Sequence, residues 1–489
     1  MYIFKVGHFL ISLSLHVIYF FSIVERKLKA GNGSPSIHDF SEVEKNQFRS
    51  SLLAWYDEKK RDLPWRKQAL NPDINQRAYA VWVSEIMLQQ TQVATVISYY
   101  NRWMEKWPRL QDLAKVDLEE VNELWSGLGY YSRGRRLHEG AKKVVEELNG
   151  EMPKTADDLQ KLLPGVGRYT AGAIASIAYN QVTGLVDGNV IRVMCRMRMM
   201  GGDSTGQAVQ DKLWSHANSV VDPERPGDFN QGMMELGATV CTPKSPSCDS
   251  CPVKHICLAY SQVEQEKQKS AKKILTNNNN IITDIECLTD NCPLCFQDDN
   301  TWEPSNGVEN YPRKGKKKAA REERTDVCIL CQKGHDSKDQ YLIVQRPNKG
   351  LLAGMWEFPS LLQTEESENP IETVLDKACG ASLRTTGQRQ HIGEVVHIFS
   401  HIHQTYVIQA ITVEEGEVTL DTEQPPSRWV SKEEFLECAV STGMKKVLKA
   451  FESVLSPKSS SNKKNKKTAS KPDDKQRSIS CFFKPKSSS

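Results

Sequence analysis

Between residues 40 and 260 the apolar positions recur at helical spacing. From Ser84 to Trp107, the residues Ile86, Val93, Ile97, Tyr100 and Met104 lie three, four or seven positions apart, which predicts one amphipathic helical run. Residues 117–124 and 136–148 carry the same pattern, and Pro108, Pro153 and Pro164 mark breaks. Alternating β-branched residues are scarce, so an all-α unit is expected. After Asp326 the period falls to two. Residues 327–329, 341–345, 393–399 and 405–411 read as strands. Residues 370–378 read as a helix with Asn369 as N-cap and Pro370 at the first helical position, and 432–439 read as another. This is a second, α+β unit.

A chain of 489 residues suggests two or three domains. Its 39% apolar and 26% charged composition fits a globular protein and excludes a membrane bundle. The net charge of +3 hides a gradient. Residues 456–489 hold ten Lys and Arg against two Asp, giving +8, so the remainder sums to 3 − 8 = −5. Any grip of the body on nucleic acid must come from local patches. Residues 9–24 carry no formal charge but are shorter than the ~18–20 apolar residues a spanning helix needs, and too poor in Arg for a transit peptide. They read as an alternative start, a weak targeting segment or an artefact of gene prediction. The expected division is an N-terminal segment 1–37, a helical domain 38–260, a connector 261–323, an α+β domain 324–454 and a basic tail 455–489 too polar to bury a core.

Thirteen Cys, an odd number, argue for metal chemistry in a reducing compartment rather than a disulfide framework. Cys241, Cys248, Cys251 and Cys257 have the spacing C-x6-C-x2-C-x5-C, which alone suits zinc or an iron–sulfur cluster equally. Cys287, Cys292 and Cys295 leave a tetrahedral zinc site one ligand short. The plain alternative is loose thiols in a linker. Cys328 and Cys331, near His335, sit in a strand pattern and read as buried structural thiols.

The sharpest local motif is Leu163-Pro164-Gly165-Val166-Gly167-Arg168-Tyr169-Thr170. A helix ends at Leu163, the glycines turn the chain, and a small-residue helix starts at Arg168. Free N–H groups at such a start suit a DNA phosphate. An ordinary helical hairpin is the alternative. Asp187, before Gly188 and Asn189, is either a helix N-cap or a reactive carboxylate beside that hairpin.

The hairpin, the following Asp and the compact Cys cluster resemble the endonuclease III superfamily of helix-hairpin-helix DNA glycosylases. Trp82-Val83-Ser84-Glu85-Ile86-Met87-Leu88-Gln89-Gln90-Thr91 and Gly127-Leu128-Gly129-Tyr130-Tyr131-Ser132-Arg133 narrow the resemblance to the MutY-type adenine DNA glycosylases in their vertebrate form, over residues 38–450. The resemblance implies a multidomain enzyme of base excision repair: an all-α helix-hairpin-helix glycosylase domain with an iron–sulfur loop, and an α+β Nudix-like domain. It would hydrolyse the N-glycosidic bond of adenine mispaired with 8-oxoguanine or guanine. Glu85, among apolar neighbours, should have a raised pKa, and would protonate adenine at N7. Asp187, at a helix start, should be favoured as the anion, and would stabilise or transiently bond the anomeric carbon. Tyr169 and Asn189 would support these carboxyls. In bifunctional relatives the Tyr169 position is a Lys; Tyr forms no Schiff base, so the chain is expected to be monofunctional.

The same resemblance assigns Cys241, Cys248, Cys251 and Cys257 to one 4Fe–4S cluster, with Lys254 and His255 near phosphate. It supplies His38 as fourth ligand of a zinc ion on Cys287, Cys292 and Cys295. Gly165, Val166, Gly167 and Arg168 would bind the DNA backbone. Gln90 and Tyr130 would wedge the duplex, with core packing the alternative and the better reading for Tyr131. Residues 350–359 resemble the Nudix fold, yet residues 360–383 contain no Arg and lack the spacing of the magnesium-binding helix, so the domain should recognise rather than hydrolyse. Phe399, Ser400 and His401 would read 8-oxoguanine. Gln476, Ile479, Phe482 and Phe483 resemble the box that binds the sliding clamp PCNA. Lys463 to Lys467 could import the chain to the nucleus; a mitochondrial pool is the other location. The implied partners are duplex DNA with the adenine·8-oxoguanine mispair, PCNA and, through the connector, a checkpoint clamp and an abasic-site endonuclease, bound by a monomer. A bifunctional lyase, a silent damage-binding scaffold and a nucleotide hydrolase are the rival readings.

Overall fold

The computed structural model describes residues 36–275, parts of 287–315 and most of 319–455. Residues 1–35, His335, Asn369, Ser400, the run 463–467 and the tail residues Gln476, Ile479, Phe482 and Phe483 lie outside the described residues.

Local chemistry starts five helices of the first domain through side-chain caps. Ser41 and Glu44 form a reciprocal capping box on Glu42–Lys59. Asp73, Asp117, Thr155 and Asp187 cap Ile74–Leu88, Leu118–Trp125, Ala156–Leu162 and Gly188–Met197 by accepting N–H groups of the first turn. The helices bury one continuous core around Trp82, Trp103 and Trp125, with Trp103 edge-on to Trp125 at 5.6 Å. No described helix is long and apolar enough to cross a membrane.

The single run expected over residues 84–107 is two helices, Ile74–Leu88 and Val93–Lys106. The break falls at Gln89-Gln90-Thr91-Gln92, where Gln90 adopts φ 55°. Apolar spacing crosses the gap because both helices face one core. Gln is itself a good helix former, so the break leaves no local signature. The helix expected over 136–148 begins earlier, at Ser132, and runs to Glu147.

In the second domain the strands are β1 Arg321–Lys333, β2 Asp339–Gln345, β3 Trp356–Glu357, β4 Ser360–Leu362, β5 Ser382–Leu383, β6 Gln388–Ile398, β7 Ile402–Val413, β8 Val418–Thr419 and β9 Ser427–Ser431. Seven form one sheet in the order β3-β2-β1-β7-β6, with β4 on β1 and β9 on β2, while β5 and β8 pair separately. β1 runs parallel to β7 from Arg321 opposite Ile402 to Gln332 opposite Val413. Its side chains alternate between two cores. Val327, Ile329 and Cys331 meet Phe435, Met444 and Phe451, whereas Cys328 and Leu330 meet Ile371, Val374 and Leu375. Cys328 and Cys331 are therefore packing residues, as their strand context suggested. The helix Ile371–Cys379 starts one residue later than expected, with Pro370 itself in the N-cap place at φ −57°, ψ 146°. A final helix, Thr442–Leu455, was not legible as a separate element.

The domains touch through the loop before β3. Met355 is fully buried in the helical core, and the Trp356 indole N–H donates to Glu119 at 3.0 Å. Arg428 donates to the same carboxylate at 3.0 Å.

Candidate active site

Helix Ala156–Leu162 ends at the hairpin and helix Arg168–Tyr179 leaves it. Gly165 takes φ 77°, open to glycine at low cost. Gly167 caps the second helix without a side chain, so its first N–H groups have no side-chain acceptor. Gly165, Gly167 and Arg168 are exposed, and the Arg168 guanidinium lies 3.9 Å over the Trp214 ring. Val166 is the one of these four hairpin residues whose side chain turns inward. It is buried, because the turn points it into the core, which leaves only its backbone for phosphate.

Tyr169 leaves the hairpin one residue later and donates its hydroxyl to Glu85 at 2.7 Å. Glu85 is 4% exposed on the helix Ile74–Leu88. Burial pushes its pKa up to about 7; the Tyr169 hydrogen bond opposes this and the charge of Asp187 adds to it. Burial also lifts the Tyr169 phenol well above its ordinary value, so it is a neutral donor. Asp187 Oδ1 accepts the N–H groups of Asn189 and Val190 at 2.9 and 2.8 Å, and Oδ2 accepts the Asn189 side-chain amide at 2.8 Å. Arg192 holds Asn189 in turn, donating to its side-chain oxygen at 2.8 Å and to the Cys241 carbonyl at 2.7 Å.

The pKa of Asp187 corrects the sequence expectation. The helix start was expected to favour its anion, and three hydrogen bonds and Arg192 do so, but burial outweighs them and raises the pKa. Glu85, Tyr169, Asp187 and Asn189 line one cavity of about 420 Å³, with Gln89, Gln90, Arg66 and Glu235 on its walls. Sequence reasoning missed Glu235. Burial alone would push this carboxyl up, but Arg61 at 2.7 Å and Arg66 at 2.8 Å hold it below the ordinary range. The cavity thus holds two carboxyls that burial raises, Glu85 to about 7 and Asp187, and a third, Glu235, that two arginines hold as an anion. Only the tertiary fold pairs Glu235 with two arginines about 170 positions away, so no local signal marks it.

Two cysteine sets differ in spacing. The side chains of His38, Cys287, Cys292 and Cys295 offer ligand atoms within 4.8 Å of one another. Sulfurs on a tetrahedral zinc, with Zn–S near 2.3 Å, stand about 3.8 Å apart, so this donor set fits one ion. His38 Nδ1 lies 2.8 Å from the Arg198 carbonyl, which puts the proton on Nδ1 and leaves Nε2 free, 3.3 Å from Cys295 Sγ. Burial lowers the His38 pKa, which favours the neutral form a ligand needs. Among the described residues no other three such groups lie so close, so no three of Cys241, Cys248, Cys251 and Cys257 do. Those four line one apolar recess with Val193, Leu236 and Val253, and Arg196 donates to Cys241 Sγ at 3.4 Å. Four thiols spread around a recess suit a cluster better than a single ion.

Comparison with known proteins gives the family. Residues 83–219 match the model of the HhH-GPD superfamily base excision DNA repair proteins, and residues 330–450 match the NUDIX domain. The adenine DNA glycosylase of Rattus norvegicus is 54% identical over 85% of this chain and 80% of its own. This chain belongs to the adenine DNA glycosylases. The Homo sapiens enzyme is also 54% identical, over 85% of this chain and 76% of its own, and that of Schizosaccharomyces pombe 39%, over 78% and 85%. A solved complex of the mouse MUTYH C-terminal domain with human PCNA matches 28% of this chain and 90% of that chain, at 36% identity and a TM-score of 0.24.

The remaining candidate residues of the glycosylase lie on loops and turns of both domains. Gln90, exposed at φ 55°, borders the Glu85 cavity. Tyr130, 47% exposed at φ 49°, lines a different cavity of about 370 Å³ between the domains, shared with Phe399 and His401. Phe399 closes the β6–β7 turn by donating its N–H to Ile402 O at 2.8 Å, with its ring edge-on to His397 at 4.5 Å. Tyr131 is buried and its hydroxyl accepts the Gly127 N–H at 3.0 Å, as the packing reading required. Lys254 is exposed on the short helical turn Lys254–Ile256 between Cys251 and Cys257.

Proposed function

We propose that this adenine DNA glycosylase is monofunctional and acts on adenine opposite 8-oxoguanine. The carrying observation is the convergence of Glu85, Tyr169, Asp187 and Asn189 on one cavity beside the hairpin. Cleavage needs a proton on the leaving base and an anion near the sugar as positive charge develops at the anomeric carbon. Glu85, with a pKa near neutrality, supplies the proton to adenine N7. Asp187, oriented by Asn189, supplies the charge or a transient bond. Tyr169 orients Glu85 and, lacking an amine, opens no lyase route. Phosphate docks on the Gly165–Arg168 hairpin, while Gln90 and Tyr130 enter the duplex as adenine leaves it. Single-turnover assay on an adenine·8-oxoguanine duplex tests the reading. Adenine release with strand scission only after added base supports it; scission by the enzyme alone would identify a lyase.

The lesion side is assigned to Phe399, Ser400 and His401, because two of these share a cavity with Tyr130. 8-Oxoguanine presents an N–H at N7 where guanine has a bare acceptor. Replacing the three residues by Ala should cut the preference for 8-oxoguanine over guanine about 10–100-fold, the worth of one or two hydrogen bonds. Excision rates opposite each base check this. An unchanged ratio would move lesion reading to Gln90 and Tyr130.

Cys241, Cys248, Cys251 and Cys257 are assigned a 4Fe–4S cluster, and His38, Cys287, Cys292 and Cys295 a zinc ion. When bound, both groups brace loops; neither takes part in the bond cleavage. Purified enzyme should carry about four iron and one zinc per chain. Cys292→Ser should lose the zinc and keep the iron, measured by elemental analysis. Retained zinc would refute the set.

The PCNA reading rests on Gln476, Ile479, Phe482 and Phe483, which lie beyond both folded domains. Replacing both Phe by Ala should abolish clamp binding in a pull-down and leave glycosylase rate on a short duplex unchanged. Equal clamp affinity in the double variant would remove the assignment.

A further inference from the structure

Arg133 is a 7% exposed arginine in the first turn of helix Ser132–Glu147, between the two loops that carry Gln90 and Tyr130. Its Nη1 donates to the carbonyls of Ile86, Met87 and Gln89 at 2.9, 2.9 and 2.5 Å. Nη2 donates to the Thr91 hydroxyl at 3.2 Å and to the carbonyls of Leu128 and Gly129 at 3.4 and 2.9 Å. Nε donates to the Tyr130 carbonyl at 3.4 Å. None of these partners is a carboxylate. The charge is held by backbone carbonyls and by the faces of Trp125 and Tyr130, 5.4 and 5.3 Å away. Burial pulls its pKa down to about 10, which leaves it charged at neutral pH.

The partners fall into two groups about forty positions apart in sequence. Ile86 and Met87 offer last-turn carbonyls that their own helix leaves unpaired, and Gln89 and Thr91 flank Gln90. Leu128, Gly129 and Tyr130 form the other loop. Each loop holds an exposed non-glycine residue at positive φ, a conformation that persists only when its surroundings fix it. One planar fork fixes both.

We propose that Arg133 is a positioning residue that sets the two loops as one unit, so that discrimination of the base opposite adenine depends on a side chain that touches neither base. This rests on the reading that Gln90 and Tyr130 enter the duplex. An ammonium has the charge but not the five-donor fork, so lysine can serve one loop and not both.

The test compares full-length wild type, Arg133→Lys, Tyr130→Ala, Gln90→Ala and the Arg133→Lys/Tyr130→Ala double variant. Single-turnover excision at saturating enzyme is measured opposite 8-oxoguanine and opposite guanine. Arg133→Lys should lower the preference ratio roughly three- to thirtyfold, and the double variant should lose no more than the worse single one. Hydrogen exchange should quicken in residues 89–91 and 127–131 together and stay unchanged in helix Pro226–Thr239, which a general loss of packing would not produce. Should Arg133→Lys fail to fold, Thr91→Val removes one bond and should move the ratio the same way, by a smaller factor. Wild-type ratios in folded Arg133→Lys, or additive losses in the double variant, would overturn the proposal. Wild-type ratios in both Gln90→Ala and Tyr130→Ala would instead sink the duplex-entry reading beneath it.

Discussion

Asp187→Asn should abolish adenine release, by about 10³–10⁴-fold in single-turnover rate, while duplex affinity changes little. In the proposed mechanism the lost term is the anion that faces the sugar as positive charge grows there. The fold should survive the change. Asp187 caps helix Gly188–Met197 through oxygen atoms, and the Asn amide oxygen can accept the same two N–H groups. The phosphate contacts proposed at the hairpin come from other residues and should persist. Gel-shift affinity and excision rate, measured on one preparation, separate the two effects. Turnover within tenfold of wild type would remove Asp187 from the chemistry.

Glu85→Gln should cost about 10²–10⁴-fold, because Gln matches the shape but has no proton to give. Tyr169 can still donate to the amide oxygen, so the cavity keeps its form. The pH profile gives the sharper test. With a pKa of about 7, Glu85 is protonated below that pH, and the wild-type rate should fall about tenfold per unit as pH rises above it. The variant should lack that limb. In the variant, stability should move the opposite way to activity. A carboxyl whose folded pKa is raised favours the native state at acid pH and loses that contribution as pH rises from about 4.5 through 7. Glu85→Gln removes the buried charge and should stabilise the protein by up to about 3 kcal/mol at pH 8, with little effect at pH 4. Thermal melts at the two pH values check the sign. A lower melting temperature for the variant at pH 8 would mean that Glu85 is stabilised as an anion and is no acid.

What the sequence determined by itself is what short range controls. The periods of 3.6 and 2 separated the helical domain from the sheet domain, because each secondary structure exposes its own repeat. The hairpin was legible since Pro164, Gly165 and Gly167 restrict the backbone on their own, and Asp187 since an N-cap acts within three residues. The apolar setting of Glu85 was written along its own helix. Tertiary structure decided what depends on neighbours distant in the chain. It broke the 84–107 run at Gln90, where a buried Arg133 takes carbonyls the helix gave up. It joined His38 to three cysteines some 250 positions away, and turned Val166 inward. It raised the Asp187 pKa by burying a carboxylate that its cap geometry favours as an anion. Desolvation is a sum over every group packed around a site, and no local stretch of sequence contains that sum.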